Sequence, residues 1–98
     1  MFKNNMEIII NWEEIKSEEA FFEVFLPQVS APEWHGNNLN ALRDSIVTGD
    51  INAIEPPYTI INRNNNSVSG TLKEFQEIVF KIFQEAIDEK RKLTIVNQ

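Results

Sequence analysis

Three short apolar runs, rich in β-branched residues, constrain the fold of this chain more than any other feature. They are residues 7–11 (EIIIN), 58–62 (YTIIN) and 93–96 (LTIV). Such runs are typical of strands that are covered on at least one face. Segments with helical periodicity separate them, which favours parallel pairing through right-handed crossovers. The order of strand, helix, helix, strand, helix and strand predicts a small α/β domain.

The segment after the first run carries the signals of a helix start. Ser17 is a typical N-cap, and Glu18 and Glu19 follow in the first turn, where carboxylates favour the free amides and the helix dipole. The apolar side chains with helical spacing are Phe21, Phe22, Phe25 and Leu26. Pro27 lacks a backbone donor and clashes with the preceding turn, so we expect it to end or kink the helix and residues 28–36 to form a loop.

A second helix is expected to open at Asn37 or Asn38, both good N-caps, and to run to about Val47, with Gly49 beyond its end. Its helical periodicity divides the side chains between two faces. The core face holds Leu39, Leu42 and Ile46. The free face holds Asn37, Asn40, Ala41 and Asp44.

The longest periodic segment follows residues 64–70, an Asn- and Ser-rich stretch that predicts a loop or a frayed turn. Thr71 and Glu74 form a T-x-x-E pattern, which predicts a capping box at the helix start. One face collects the apolar side chains Leu72, Phe75, Val79, Ile82, Phe83 and Ala86. Residues 90–92 (KRK) place cations at the helix end, where the dipole favours them.

The length of 98 residues predicts one domain with one core, spanning residues 1–98. Met1 and Met6 are both candidate starts, so residues 1–5 can be an unstructured extension. The chain has no cysteine, which excludes a disulfide scaffold, cysteine-ligated metal sites and thiol catalysis. No apolar stretch reaches the length that a membrane span needs. We therefore expect a soluble, cytoplasmic protein.

The acidic charge is concentrated in one half of the chain. The net charge is −6, but residues 1–58 carry three bases against ten acids, a net charge of −7, whereas residues 59–98 carry six bases against five acids, a net charge of +1. A nucleic-acid groove requires the opposite sign because phosphate contacts dominate its affinity. The acidic half therefore indicates either a basic partner or a surface that serves only solubility.

The residues that catalysis needs are scarce. His35 is the only histidine, and the spacings of nucleotide-binding, hydrolase, zinc-protease and calcium-binding motifs are absent. Glu13 with Glu14, and Glu18 with Glu19, are sequence neighbours that do not face one another, so we expect helix caps and solvated surface there. The sequence predicts no enzymatic activity, no metal and no cofactor.

Residues 32–44 (PEWHGNNLNALRD) depart from what folding alone favours. Trp34 and His35 lie on the predicted loop, where Trp34 either covers the core or meets a partner. Asp44 lies in the last turn of the second helix, where the partial negative charge of the helix end disfavours a carboxylate. Either Arg43 or a nearby lysine neutralises Asp44, or Asp44 has a role outside the fold.

The same segment resembles the barstar family, intracellular inhibitors of the secreted bacterial ribonuclease barnase. Family members carry the pattern L-P-x-aromatic-aromatic-G-x-N-L-D-A-L-W-D, and residues 31–44 here read A-P-E-W-H-G-N-N-L-N-A-L-R-D, with Trp34 keeping the first aromatic. The identical positions are Pro32, Gly36, Asn38, Leu39, Ala41, Leu42 and Asp44. The I-I-N run near the start and residues 83–96 near the end extend the resemblance over most of the chain.

The resemblance implies a three-stranded parallel sheet packed against helices, and an inhibitor that covers a ribonuclease active site with the loop and the second helix. It further implies that the Asp44 carboxylate occupies the phosphate-binding pocket of the nuclease and that Glu85, on the long helix, makes a second acidic contact. The partner-binding residues on this basis are Trp34, His35, Gly36, Asn38, Asn40, Arg43, Asp44, Val47 and Glu85.

Three residues on the implied contact surface differ from the family pattern: His35 replaces an aromatic, Asn40 a carboxylate and Arg43 a tryptophan. We therefore expect a cytoplasmic immunity protein that binds a basic ribonuclease toxin other than barnase, such as the toxic tip of a contact-dependent secretion system. The complex is expected to be one-to-one, with a monomer when free and no binding to nucleic acid or membrane. The alternative is a barstar-fold binding or regulatory module whose partner is not a nuclease.

Overall fold

The computed structural model describes residues 6–29, 36–48, 58–89 and 93–98. Its elements in chain order are β1 (Met6–Asn11), α1 (Glu18–Gln28), α2 (Leu39–Arg43), a π-helical turn (Asp44–Thr48), β2 (Tyr58–Arg63), α3 (Thr71–Asp88) and β3 (Leu93–Asn97). β1 and β3 both pair with β2 in parallel, which gives the strand order β1-β2-β3. The prediction of an α/β fold with a three-stranded parallel sheet packed against helices is confirmed.

Several predictions fall on residues outside these ranges and stay predictions. They concern the extension at residues 1–5, the loop with Pro32, Trp34 and His35, the helix end at Gly49, and the cations at residues 90–92. The fold around them is nevertheless defined by the strands and helices on either side.

The two faces of the sheet are covered to different extents. Ile8 lies beside Ile60, and Ile60 beside Ile95, on the face that the helices cover. Ile8 and Ile60 are fully buried there, and Ile95 packs partly buried against the same core. On the opposite face Ile9 and Val96 each remain 37% exposed. The apolar runs therefore supply one fully buried face, as their β-branched composition predicts.

Aromatic rings form the centre of the core. Phe21 of α1 stacks on Trp12, with ring centroids 5.5 Å apart, and on Phe25, at 5.4 Å. Phe75 of α3 meets Phe21 edge-on at 5.5 Å. Trp12 is fully buried, and its Nε1 donates to the Oδ1 of Asn62 at 3.0 Å. This cluster joins α1 and α3 to the carboxyl ends of β1 and β2.

α1 begins where predicted and ends later than predicted. The Oγ of Ser17 accepts a hydrogen bond from the Ala20 N–H at 3.1 Å, as an N-cap does. Pro27 lies inside the last turn, and the helix continues to Gln28 before Val29 ends it. The expectation of a loop from residue 28 is wrong. Pro27 lies in the last turn, where its missing N–H and its clash with the preceding turn disturb few backbone hydrogen bonds, so the helix continues for one more residue.

The side chain of Gln28 also fastens the end of α1 to the free edge of β1. Its Oε1 accepts from the Ile9 N–H at 2.9 Å, and its Nε2 donates to the carbonyls of Ile9, at 2.8 Å, and Val24, at 3.0 Å. The outward-facing backbone groups of an edge strand are otherwise a template for pairing with another chain. One amide side chain therefore occupies the middle of this edge.

α3 has the predicted apolar face but not the predicted capping box. Its buried apolar side chains are Phe75, Val79, Ile82, Phe83 and Ala86, with Leu72 partly buried. Gly70 precedes the helix with φ 65° and ψ −141°, and no side chain caps the start. Thr71 is already helical, and the Gly70 carbonyl accepts from the amides of Lys73 and Glu74. The capping-box prediction is wrong because a glycine-specific backbone conformation turns the chain into the helix one residue before Thr71.

Candidate functional site

The site begins at the capped start of α2. Asn38 has extended φ and ψ, and its Oδ1 accepts from the Ala41 N–H at 2.8 Å. Its carbonyl accepts from the Leu42 N–H at 3.0 Å, the first backbone bond of the helix. Leu42 is fully buried and Leu39 is partly buried. The prediction that the second helix opens at Asn37 or Asn38 is confirmed, with Asn38 as the cap.

Gly36 makes room for this cap. A Cβ atom at Gly36 would lie 2.7 Å from the Nδ2 of Asn38 and 3.3 Å from the Cβ of Ala41. The first distance is shorter than real Cβ contacts allow, so a larger residue would displace the capping side chain. Gly36 therefore supports the site indirectly, because its lack of a side chain leaves space for the Asn38 side chain that caps α2.

A π-helical turn follows α2 directly and spans Asp44–Thr48. The helical path reaches the predicted end, but it widens at Asp44 instead of continuing as α-helix. Ser45 and Ile46 are buried, with 4% and 1% exposure, and Val47 packs partly buried against the core. π turns are rare and occur often at functional sites. Because its neighbours hold the turn on the core, Asp44 has a fixed place on the outside.

The charged side chains of α2 and α3 meet in one ion pair. The Nε and Nη2 of Arg43 donate to the Oε1 and Oε2 of Glu85, both at 2.9 Å. Two parallel bonds of this kind fix the plane of the guanidinium as well as its distance. The hydrogen bond from Arg43 holds the pKa of the Glu85 carboxyl below its ordinary value, and the same bond raises the pKa of Arg43. Both side chains remain about half exposed, at 52% and 45%.

This pair decides which carboxylate Arg43 binds. The guanidinium hydrogen-bonds to Glu85 and not to Asp44, although the charge of the neighbouring Asp44 also contributes to the raised pKa of Arg43. Within the described ranges no cation forms a salt bridge with Asp44. The pair of Arg43 and Glu85 carries no net charge as a whole, and Asp44 adds a further carboxylate next to it at the start of the π turn. Asn40, one turn earlier, is exposed and neutral.

The structure brings four of the nine implied contact residues onto one exposed region. Asn40, Arg43 and Asp44 are exposed on α2 and the π turn, and Glu85 lies across from Arg43 on α3. Of the remaining members, Gly36, Asn38 and Val47 have supporting positions, whereas Trp34 and His35 lie outside the described residues. The pairing of Arg43 with Glu85 was not predicted, because nothing local connects residues 42 positions apart. The only signal in the sequence is the combination of an arginine at a motif position with a glutamate in residues 83–86 (FQEA).

The described residues hold neither a metal-binding group nor a membrane-spanning helix. Among residues 6–29, 36–48, 58–89 and 93–98, no group of three or more histidine, aspartate or glutamate side chains is placed to hold a metal ion. None of the helices built from these residues combines the length and apolar composition that crossing a membrane requires.

The fold and this surface together define a small α/β protein in which a short capped helix and a π turn present charged side chains beside a long helix. The family model of Barstar, the barnase inhibitor, matches residues 5–98 of the chain. The chain therefore belongs to the barstar family, whose members are inhibitors of ribonucleases. None of the curated proteins compared with the chain matches it.

Proposed function

We propose that this protein is an immunity protein that binds a bacterial ribonuclease toxin one-to-one and blocks its active site. The contact surface consists of the loop with Trp34 and His35, α2, and the π turn that starts at Asp44. The observation that carries the proposal is the exposed carboxylate of Asp44, which is held on a core-anchored turn and has no salt bridge among the described residues.

The physical basis is charge complementarity with a nuclease. A ribonuclease holds the phosphates of RNA with cationic groups, and a fixed carboxylate can occupy the same pocket. Burial of one such ion pair in an interface slows dissociation when both partners keep their hydrogen bonds. The net charge of −7 on residues 1–58 adds long-range attraction for a basic partner, which speeds association.

The partner proposed here is a toxin other than barnase, in the cytoplasm of the cell that produces the inhibitor. Two exposed residues of α2 support this choice. Asn40 brings no negative charge to the surface, and Arg43 brings a guanidinium next to Asp44. A pocket lined with cations would meet a like charge at Arg43, and like charges across an interface act against the wrong partner.

The test is inhibition of RNA cleavage by the Asp44→Asn variant, which keeps the size of the side chain and removes its charge. The probes are barnase and a ribonuclease purified as the binding partner of the wild-type protein. For the nuclease that the wild-type protein inhibits, we expect the variant to lose at least ~2 kcal/mol of binding, about 30-fold in Kd, mainly through faster dissociation. This magnitude comes from hot-spot residues in general, of which the barnase–barstar complex is itself a known example.

Glu77→Gln is the matched control, because Glu77 is an exposed carboxylate of α3 whose loss changes the net charge equally. It should leave the dissociation rate unchanged. Thermal unfolding should show both variants folded. A folded wild-type protein that inhibits neither nuclease would refute the proposal and favour the alternative, a regulatory module whose partner is not a nuclease.

A further inference from the structure

We propose that Arg43 is a specificity-determining contact of this surface and that Glu85 is its positioning residue. On this view the free edge of the Arg43 guanidinium binds a hydrogen-bond-accepting oxygen of the partner, a backbone carbonyl or a carboxylate. Glu85 does not itself offer its charge to a cation of the nuclease. The inference rests on the proposed function, since it concerns the same docking surface, but it assigns to Glu85 a different role from the one that the resemblance implies.

The geometry of the pair supports this assignment. A guanidinium carries five N–H donors in a planar fork. The bonds to Glu85 use Nε and one donor of Nη2, which leaves one donor of Nη1 and the second donor of Nη2 side by side on the neighbouring edge. That edge has the spacing to receive a second planar acceptor. The 52% exposure of the Arg43 side chain leaves room for a partner to approach it.

Glu85, in contrast, is already engaged through both oxygens. Each carboxylate oxygen accepts one Arg43 donor at 2.9 Å. A partner cation that approached the remaining acceptor sites of Glu85 would meet the Arg43 charge beside it, and a cation that took the place of Arg43 would have to replace two charge-assisted hydrogen bonds. The lowered pKa of the Glu85 carboxyl agrees with a carboxylate that is stabilised from within the protein.

The ion pair with Glu85 also lowers the entropic cost of using Arg43 as a contact. A free arginine side chain loses much rotamer freedom when a partner immobilises it, and that loss counts against binding. Glu85 holds the guanidinium in one orientation before the partner arrives. Arg43 and Asp44 are sequence neighbours, so the surface offers a donor edge beside a carboxylate. It fits a partner that places an acceptor oxygen next to a cationic pocket.

The first experiment tests the pair in the free protein. The Glu85 carboxyl is titrated by NMR in the wild-type protein, in Arg43→Gln and in Arg63→Gln. Arg63 is the matched control, because it is an exposed arginine that donates to the Gln98 side chain and not to a carboxylate. We expect the pKa of Glu85 to rise in Arg43→Gln and to stay unchanged in Arg63→Gln. An unchanged pKa in both variants would overturn the inference, whatever the protein binds.

The second experiment measures binding to barnase, a cationic nuclease. Arg43→Gln should bind barnase at least ~10-fold more tightly than Arg63→Gln, because only the first change removes a cation from the docking surface and releases Glu85. The two variants have the same net charge, so long-range attraction contributes equally to both. Equal affinities, including an absence of binding by both, would overturn the inference.

The third experiment uses the ribonuclease that the wild-type protein inhibits. Arg43→Gln and Glu85→Gln should each weaken the complex, and the double variant should be no weaker than Arg43→Gln alone, because Glu85 acts through Arg43. Losses that add in the double variant would show that Glu85 is an independent contact and would overturn the inference. Failure of the proposed function is distinguishable, because the wild-type protein would then inhibit no ribonuclease, whereas the titration of Glu85 in the free protein would still show whether Arg43 holds it.

Discussion

α3 and the helical segment formed by α2 and the π turn pack against the core in different ways. α3 is 18 residues long and buries a continuous apolar stripe. α2 has five residues before it widens into the π turn, and its burial relies on Leu42, Ser45 and Ile46. Helices shorter than about 12 residues are marginal on their own in water. The short segment therefore depends on its cap, its core contacts and its ion pair with α3.

The two regions also differ in what their polar groups do. In the core, the Oδ1 of Asn62 accepts from the Nε1 of Trp12 and the Nδ2 of Asn62 donates to the Oδ1 of Asn97, so folding uses these polar atoms. On α2 and the π turn, Asn40 and Asp44 point their polar atoms outward, where folding does not require them. Residues of the first kind should affect stability, and residues of the second kind should affect binding. The following substitutions test that division.

The largest effect on stability is expected from Phe21→Ala. Phe21 contacts the rings of Trp12, Phe22, Phe25 and Phe75, and its removal leaves a cavity between α1 and α3. Large-to-small changes of buried phenylalanine cost about 3–5 kcal/mol of unfolding free energy. Urea unfolding measures this loss of unfolding free energy. The dissociation rate from the nuclease, recorded on the folded fraction, should stay unchanged; a faster rate would break the separation between the two regions.

A smaller loss is expected from Asn62→Leu, which removes the acceptor of the buried Trp12 Nε1. An unsatisfied buried donor costs roughly 1–3 kcal/mol. The double variant Trp12→Phe with Asn62→Leu removes donor and acceptor together. Its loss of stability in thermal unfolding should therefore be smaller than the sum of the losses of the two single variants. Simple additivity would mean that the hydrogen bond contributes little to the core.

The smallest of the three losses is expected from Asn38→Ala, and it should be the one that affects both properties. Loss of the bond to the Ala41 N–H should cost about 1 kcal/mol of stability. Because Asn38 starts the helix that carries Arg43 and Asp44, nuclease binding should weaken as well. Asn38→Asp, which can still cap, is the control and should retain both stability and affinity. A variant that loses stability but binds normally would show that the docking surface does not need an ordered α2.

Much of the fold follows from local patterns in the sequence. The β-branched runs predict the three strands, Ser17 and Asn38 predict two helix starts, and the apolar spacing predicts the buried face of α3. These features depend on neighbours a few residues away, through backbone hydrogen bonds and a repeating pattern of burial. The Thr71 and Glu74 pattern fails for the same reason: an adjacent glycine with φ 65° starts the helix differently, and its conformation is not encoded in the T-x-x-E spacing.

The candidate site likewise combines features that the sequence predicts with features that only the tertiary structure shows. The sequence by itself determined that Asp44 lies at the end of a short amphipathic helix, opposite the core residues Leu42 and Ile46, because helical periodicity separates those positions onto different faces. Only the tertiary structure decided that this segment widens into a π turn and that Arg43 pairs with Glu85. The carboxylate partner of a guanidinium is chosen by distance in space, and packing of α2 against α3 brings together residues that are 42 positions apart in the chain.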